Sequence, residues 1–133
     1  MNVLAINAML QGLVGLLAEG ARFAVCDGVK PAPGGAVTTR LAAAVLAVPA
    51  GGIDAGQLTL VQADAEGDMA DATGVPTWGR LELADGTWVE DFTVSGVSGS
   101  GQVKVEVIDP PPGDPEGKIY AGGRFFLGSV ILG

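Results

Sequence analysis

The chain contains no histidine, which removes the commonest general base and the commonest metal ligand. Its single cysteine, Cys26, can form no intramolecular disulfide and no thiolate cluster within one chain. Cys26 lies in the alternating apolar stretch "RFAVCD", where a buried small hydrophobe is expected. Ser95, Ser98, Ser100 and Ser129 have no histidine to activate them, which excludes nucleophilic catalysis of the common type. The expectation is a protein that is not an enzyme, with no cofactor and no metal.

Positive charge is also scarce. Seven basic residues stand against 15 acidic ones, for a net charge of −8, and they are scattered at Arg22, Lys30, Arg40, Arg80, Lys104, Lys118 and Arg124. Nucleic acid and anionic membranes both call for a clustered positive field, so neither is an expected partner. No Lys or Arg precedes Arg22, so the apolar N-terminal stretch lacks the charged start of a secretory signal. Asn7, Gln11, Gly12 and Gly15 interrupt it, leaving it too short for a membrane span. A soluble chain made and used without secretion is expected. The glycine-rich "GSGQVK" and "APGGAV" lack the strand-then-helix setting of a phosphate cradle and read as turns.

What is abundant is glycine, at 22 residues, with 8 prolines, in a chain that is 48% hydrophobic. Apolar content broken so often favours many short strands joined by turns, and 133 residues suffice for one core. The expected fold is mainly β, a β-sandwich or jelly-roll-like barrel with one N-terminal α-helix. It forms a single domain over 1–133, with the helix in 1–20 and the β-domain in 21–133.

Residues 2–18 read as the helix, with Leu4, Leu10, Leu13, Val14 and Leu17 at three- and four-residue steps and Gly20 as a stop. Val3, Ile6, Met9 and Leu16 widen the apolar surface beyond one stripe, so the helix requires cover on most sides. "ARFAVCDG" reads as a strand, "VKPAPGGAVTT" as a turn region, and "RLAAAVLAV" as a strand or a short buried helix. "QLTLVQA" alternates as a strand, and "QVKVEVI" turns Val103, Val105 and Val107 inward with Lys104 and Glu106 outward. "RFFLGSVILG" reads as a strand covered on both faces.

"DATGVPTWGRLELADGTWVEDFTVS" holds both tryptophans and reads as a hairpin turning at Asp85-Gly86. A two-residue type I′ turn there sets Leu83 opposite Trp88, Arg80 opposite Asp91 and Trp78 opposite Thr93. Alternation then places Leu81, Leu83, Trp88 and Phe92 on the core face, and Arg80, Glu82, Asp91 and an exposed Trp78 on the other.

Asp64, Glu66 and Asp68 follow the two-residue rhythm of a calcium loop. Met69 and Val75, however, stand where that loop needs glycine and a bidentate glutamate, so a solvated acidic loop is expected. Asp85, Glu90 and Asp91 beside Trp88 could suggest glycoside chemistry, but the turn accounts for Asp85, Arg80 for Asp91 and edge polarity for Glu90. A noncatalytic carbohydrate platform would need Trp78 or Trp88 exposed beside unpaired polar groups. "PPPGDP" is a stiff loop suited to presenting a fixed surface to a neighbour.

Four segments in this order, the N-terminal helix, "CDGVKPAPGGAVTT", "DATGVPTWGRLELADGTWVEDFTVS" and "GGRFFLGSVILG", resemble a family of small tailed-bacteriophage virion proteins encoded near the major capsid protein. The resemblance spans roughly the whole chain and departs at "DPPPGDPEGK", where relatives have a short tight turn. It implies a capsid decoration or cement protein on the outer surface of the head, assembled in the bacterial host cytoplasm. Such a protein binds the major capsid protein and forms a homo-oligomer, a dimer or trimer. A tail or head-tail connector component is the neighbouring alternative, and a carbohydrate-binding module the alternative from another class. Leu10, Leu13 and Leu17, Trp78, and Pro110, Pro111 and Pro112 are the expected protein-binding residues.

Overall fold

Helix α1 (Val3–Leu16) opens the chain in a computed structural model that describes residues 1–37 and 39–132. Asn2 caps it by accepting a hydrogen bond from the Ala5 amide, which satisfies one of the donors that a helix start leaves free. Among the described residues nine strands follow: β1 (Arg22–Asp27), β2 (Thr39–Asp54), β3 (Gln57–Gln62), β4 (Asp68–Met69), β5 (Trp78–Glu82), β6 (Trp88–Gly96), β7 (Val103–Val107), β8 (Arg124–Leu127) and β9 (Val130–Leu132). The protein is therefore mainly β with a single N-terminal helix, and its sheet is curled, with a sandwich or barrel-like form.

The strand order is β4-β8-β7-β6-β5-β1-β2-β3-β9. β8 and β9 lie near opposite ends of that order, yet only Gly128 and Ser129 separate them in sequence. So short a link forces the sheet to curl back on itself. Gln62 of β3 closes the seam with its side chain, donating to Asp68 Oδ2 and to the Phe125 carbonyl and accepting from the Leu127 amide. All pairings are antiparallel except β6 with β7, which run parallel.

This arrangement corrects the expectation of one closing strand covered on both faces. "RFFLGSVILG" breaks at Gly128-Ser129 and changes partner there, β8 pairing with β7 and β4 and β9 with β3. Phe125 and Val130 are buried while Ile131 is exposed, because the kinked segment turns one side chain in and the next out. The final residue of that run, Gly133, lies outside the described residues. Within "DAEGDMADATG", expected as loop, Asp68 and Met69 form the short strand β4.

"RLAAAVLAV" is strand, the first part of β2. The alanines of β2 have a packing reason: α1 lies against β2 and β3, and the small Ala42, Ala44 and Ala50 share the buried cluster with Leu10 and Val14 of the helix and with Leu17, its C-cap. Helix and sheet enclose one core, which also holds Phe23, Val25, Leu58, Leu81, Phe92, Val105 and Phe125. Cys26 is fully buried, and burial pushes its thiol up to about 11. Val103 and Val105 are buried and Glu106 is exposed, as the alternation of β7 requires.

Candidate functional site

Among the described residues, three surfaces hold the candidates that the sequence raised: the ion-paired face of β1, β5 and β6, the outer side of α1, and a groove beside the proline loop.

The first is organised by the β5–β6 hairpin. Arg80 pairs with Asp91 and Trp78 with Thr93, as expected, but the turn reaches that register by another path. Gly86 has φ near +90° and Asp85 does not share the positive φ that a type I′ turn requires. The Leu83 amide bonds to the Thr87 carbonyl, giving a three-residue loop that shifts the pairing by one. An irregularity between Leu81 and Glu82 restores the register, so Trp88 sits opposite Glu82 instead of Leu83. Two compensating one-residue shifts leave Arg80 facing Asp91.

That same irregularity moves Trp88 out of the core, to 40% exposure, while Leu81 and Phe92 remain buried and Leu83 is half-buried. The opposite face, expected to meet solvent, is buried as well. Trp78 is 0% exposed, which corrects its expected place as a surface contact and as a sugar platform. The end of β1 and the segment around Gly34 and Gly35 lie against this face: the Trp78 indole donates to the Asp27 carbonyl, Arg80 donates to the Gly35 carbonyl, and the Gly34 amide donates to Asp91. The Arg80 guanidinium also lies 5.3 Å from the Trp78 ring centre, within cation–π range. At Gly79 a Cβ would fall 2.4 Å from the Phe23 ring, so only glycine lets β5 approach β1 this closely.

Charges on this face answer one another. Arg80 holds Asp91 with two hydrogen bonds, at 2.7 and 3.1 Å. Glu82 receives Arg22 at 2.6 Å and Arg40 at 2.6 and 3.2 Å. Burial pushes the Glu82 carboxyl up, but the hydrogen bonds from Arg40 and Arg22 outweigh it and hold Glu82 below the usual carboxylate range. Asp91 follows the same logic, with Arg80 and the Gly34 amide overcoming desolvation. No buried side-chain polar atom among the described residues lacks a hydrogen-bond partner. This network holds a loop in place and presents no free base or nucleophile.

The helix forms the second surface. Leu10 and Leu17 lie in the chain's own core, and Leu13 packs against it, correcting their expected role as the partner face. Apart from Val3 at the helix start, the large apolar residues left outside are Leu4 at 80% exposure, Met9 at 63% and Leu16 at 56%. They share that side with Ala8, Gln11, Gly12 and Gly15, all exposed. No charged residue occurs from Met1 to Ala18. Periodicity alone shows that a helix has a surplus of apolar surface; the packing chooses which side is the surplus.

The third surface is a groove of about 490 Å³ between the proline loop and β7. Pro110, Pro111 and Pro112 are exposed and line it together with Val97, Val105 and Val107. The expected loop residues therefore do face solvent. Sequence reading missed the groove, because Val97 and Glu116 reach it from separate loops.

In the acidic stretch, Asp64 accepts the Glu66 amide and Asp68 accepts Gln62, and no group of three potential ligands is placed to hold a metal ion among the described residues. No helix of the described residues is long and apolar enough to cross a membrane. Comparison with models of protein families, with curated proteins and with solved structures gives no match to this chain in any of the three.

Proposed function

We propose that this chain is a structural protein of a bacteriophage virion, a decoration or cement protein that binds the major capsid protein on the outer surface of the head. The observation that carries the reading is the outer side of α1. A chain of net charge −8 keeps one helix free of charge and leaves Leu4, Met9 and Leu16 in solvent. Apolar area of this kind is stabilised by removal from water, at about 25 cal/mol per Å², and a partner is what removes it. The loop pinned by Arg80 and Asp91 supports the same reading, since a rigid surface loses little freedom on binding. The resemblance to small virion proteins supplies the identity of the partner, and the homo-oligomer belongs to the same proposal.

The test is a pair of substitutions on the exposed side, Met9→Glu with Leu16→Glu. Binding to capsids lacking the protein should weaken at least about tenfold, with the far-ultraviolet spectrum and melting temperature retained. Imaging of purified virions should place the protein on the head exterior. Density in the tail or at the head-tail junction would replace this reading with the connector alternative, and absence from virions would end both.

A further inference from the structure

The groove beside the proline loop has a definite chemical character. Its accessible lining is aliphatic, from Val97 and Val107 and the rings of Pro110, Pro111 and Pro112, over the buried Val105. The carboxylates of Glu106, Asp114 and Glu116 also line it, and all three residues are exposed. Proline carries no N–H and an ionised carboxylate only accepts hydrogen bonds, so these walls offer acceptors and apolar surface. Of the nearby cations, Lys104 is engaged with the Gly99 carbonyl and Lys118 lies over the Tyr120 ring. Glu116 is held in place by the amide and hydroxyl of Ser98, which keeps its carboxyl below the usual range.

Such a groove is complementary to one kind of side chain. Arginine presents a three-methylene stem that covers apolar surface and a planar head with five donors and a permanent positive charge. We propose that the groove takes an extended, arginine-bearing segment of a partner polypeptide, the arginine stem lying against the valines and prolines and its guanidinium meeting Glu106 and Asp114. A volume of 490 Å³ is in the range of ordinary ligand clefts and admits a few residues of such a segment. The inference rests on the reading of the chain as a protein-binding module. It adds the chemistry of a second contact, separate from the neutral helix face.

The experiment uses the full chain and a fluorescein-labelled peptide alternating arginine with leucine, followed by fluorescence anisotropy at neutral pH. The arginine peptide should bind, and a matched peptide carrying citrulline, which keeps the shape and loses the charge, should bind at least about tenfold more weakly. Glu106→Gln with Asp114→Asn should cause a similar loss. Val97→Ser should weaken binding through the apolar lining. A control chain with the same change in net charge elsewhere, Glu19→Gln with Glu66→Gln, should bind as the parent does. Equal loss in the control would reduce the effect to overall acidity and overturn the proposal, as would no binding up to about 1 mM peptide. Self-association that disappears in the groove variants would assign the groove to a second copy and overturn it too. Failure here leaves the head-decoration reading standing, whereas absence from virions with peptide binding intact removes that reading and keeps the groove's ligand class.

Discussion

The β1–β5–β6 face and the outer side of α1 handle solvent in opposite ways. On the first, Arg22, Arg40, Arg80, Glu82 and Asp91 draw their partners from within the chain, and Gly34 and Gly35 bond to the Arg80–Asp91 pair. On the second, no charge is present and large apolar side chains stand in water. A polar residue can therefore be more completely satisfied within the chain than an apolar one. The buried ion pairs are internally satisfied and hold structure, while the neutral helix side leaves Leu4, Met9 and Leu16 exposed to solvent.

Breaking the first region should have the largest effect. Arg80→Ala leaves Asp91 buried without its ion partner, and loss of one member of a buried pair costs about 3 to 5 kcal/mol. Chemical denaturation should show this, with Asp91→Ala costing a comparable amount and the double substitution less than the sum. Acid should act on the same pairs. Glu82 and Asp91 have folded pKa values depressed below those of the unfolded chain. Their contribution is fully present above the unfolded values and is lost as pH falls through the lower folded ones. Stability should therefore drop below about pH 4, more steeply than in a chain carrying Glu82→Gln.

Adjacent leucines of the helix sharpen the contrast next. Leu17 is 0% exposed in the core, so Leu17→Ala should cost about 2 to 5 kcal/mol. Leu16→Ala, one residue away on the solvent side, should change stability by no more than about 0.5 kcal/mol while weakening capsid binding. Equal destabilisation by the two would mean that the helix is covered on both sides within one chain.

An effect smaller than that of Leu17→Ala, and of opposite sign, should come from the glycines of that side. Nothing lies within 4 Å of where a Cβ would sit at Gly12 or Gly15. Helix propensity then makes Gly12→Ala and Gly15→Ala stabilising, by up to about 1 kcal/mol each in thermal or chemical unfolding of the isolated chain. A loss of stability at either site would show that the outer side is already in contact.

Much of this was legible in the sequence because it depends on near neighbours along the chain. Three- and four-residue spacing marked the helix, alternation marked β1, β3 and β7, and the Asp85-Gly86 pair located the hairpin. The opposition of Arg80 and Asp91 was legible too, although the three-residue loop and the compensating irregularity were not, since each is a one-residue shift that the other conceals. Periodicity also tells how much of α1 is apolar. Tertiary structure alone decided which side of the helix turns inward, because that depends on the alanines of β2 and on where the curled sheet has room. It likewise put Trp78 inside and Trp88 outside, since alternation assigns residues to opposite faces but cannot say that the end of β1 and the segment around Gly34 and Gly35 will lie against one of them. The break at Gly128-Ser129 and the groove under the proline loop were settled in the same way. Both arise where segments distant in sequence meet, and no local pattern of side chains encodes that meeting.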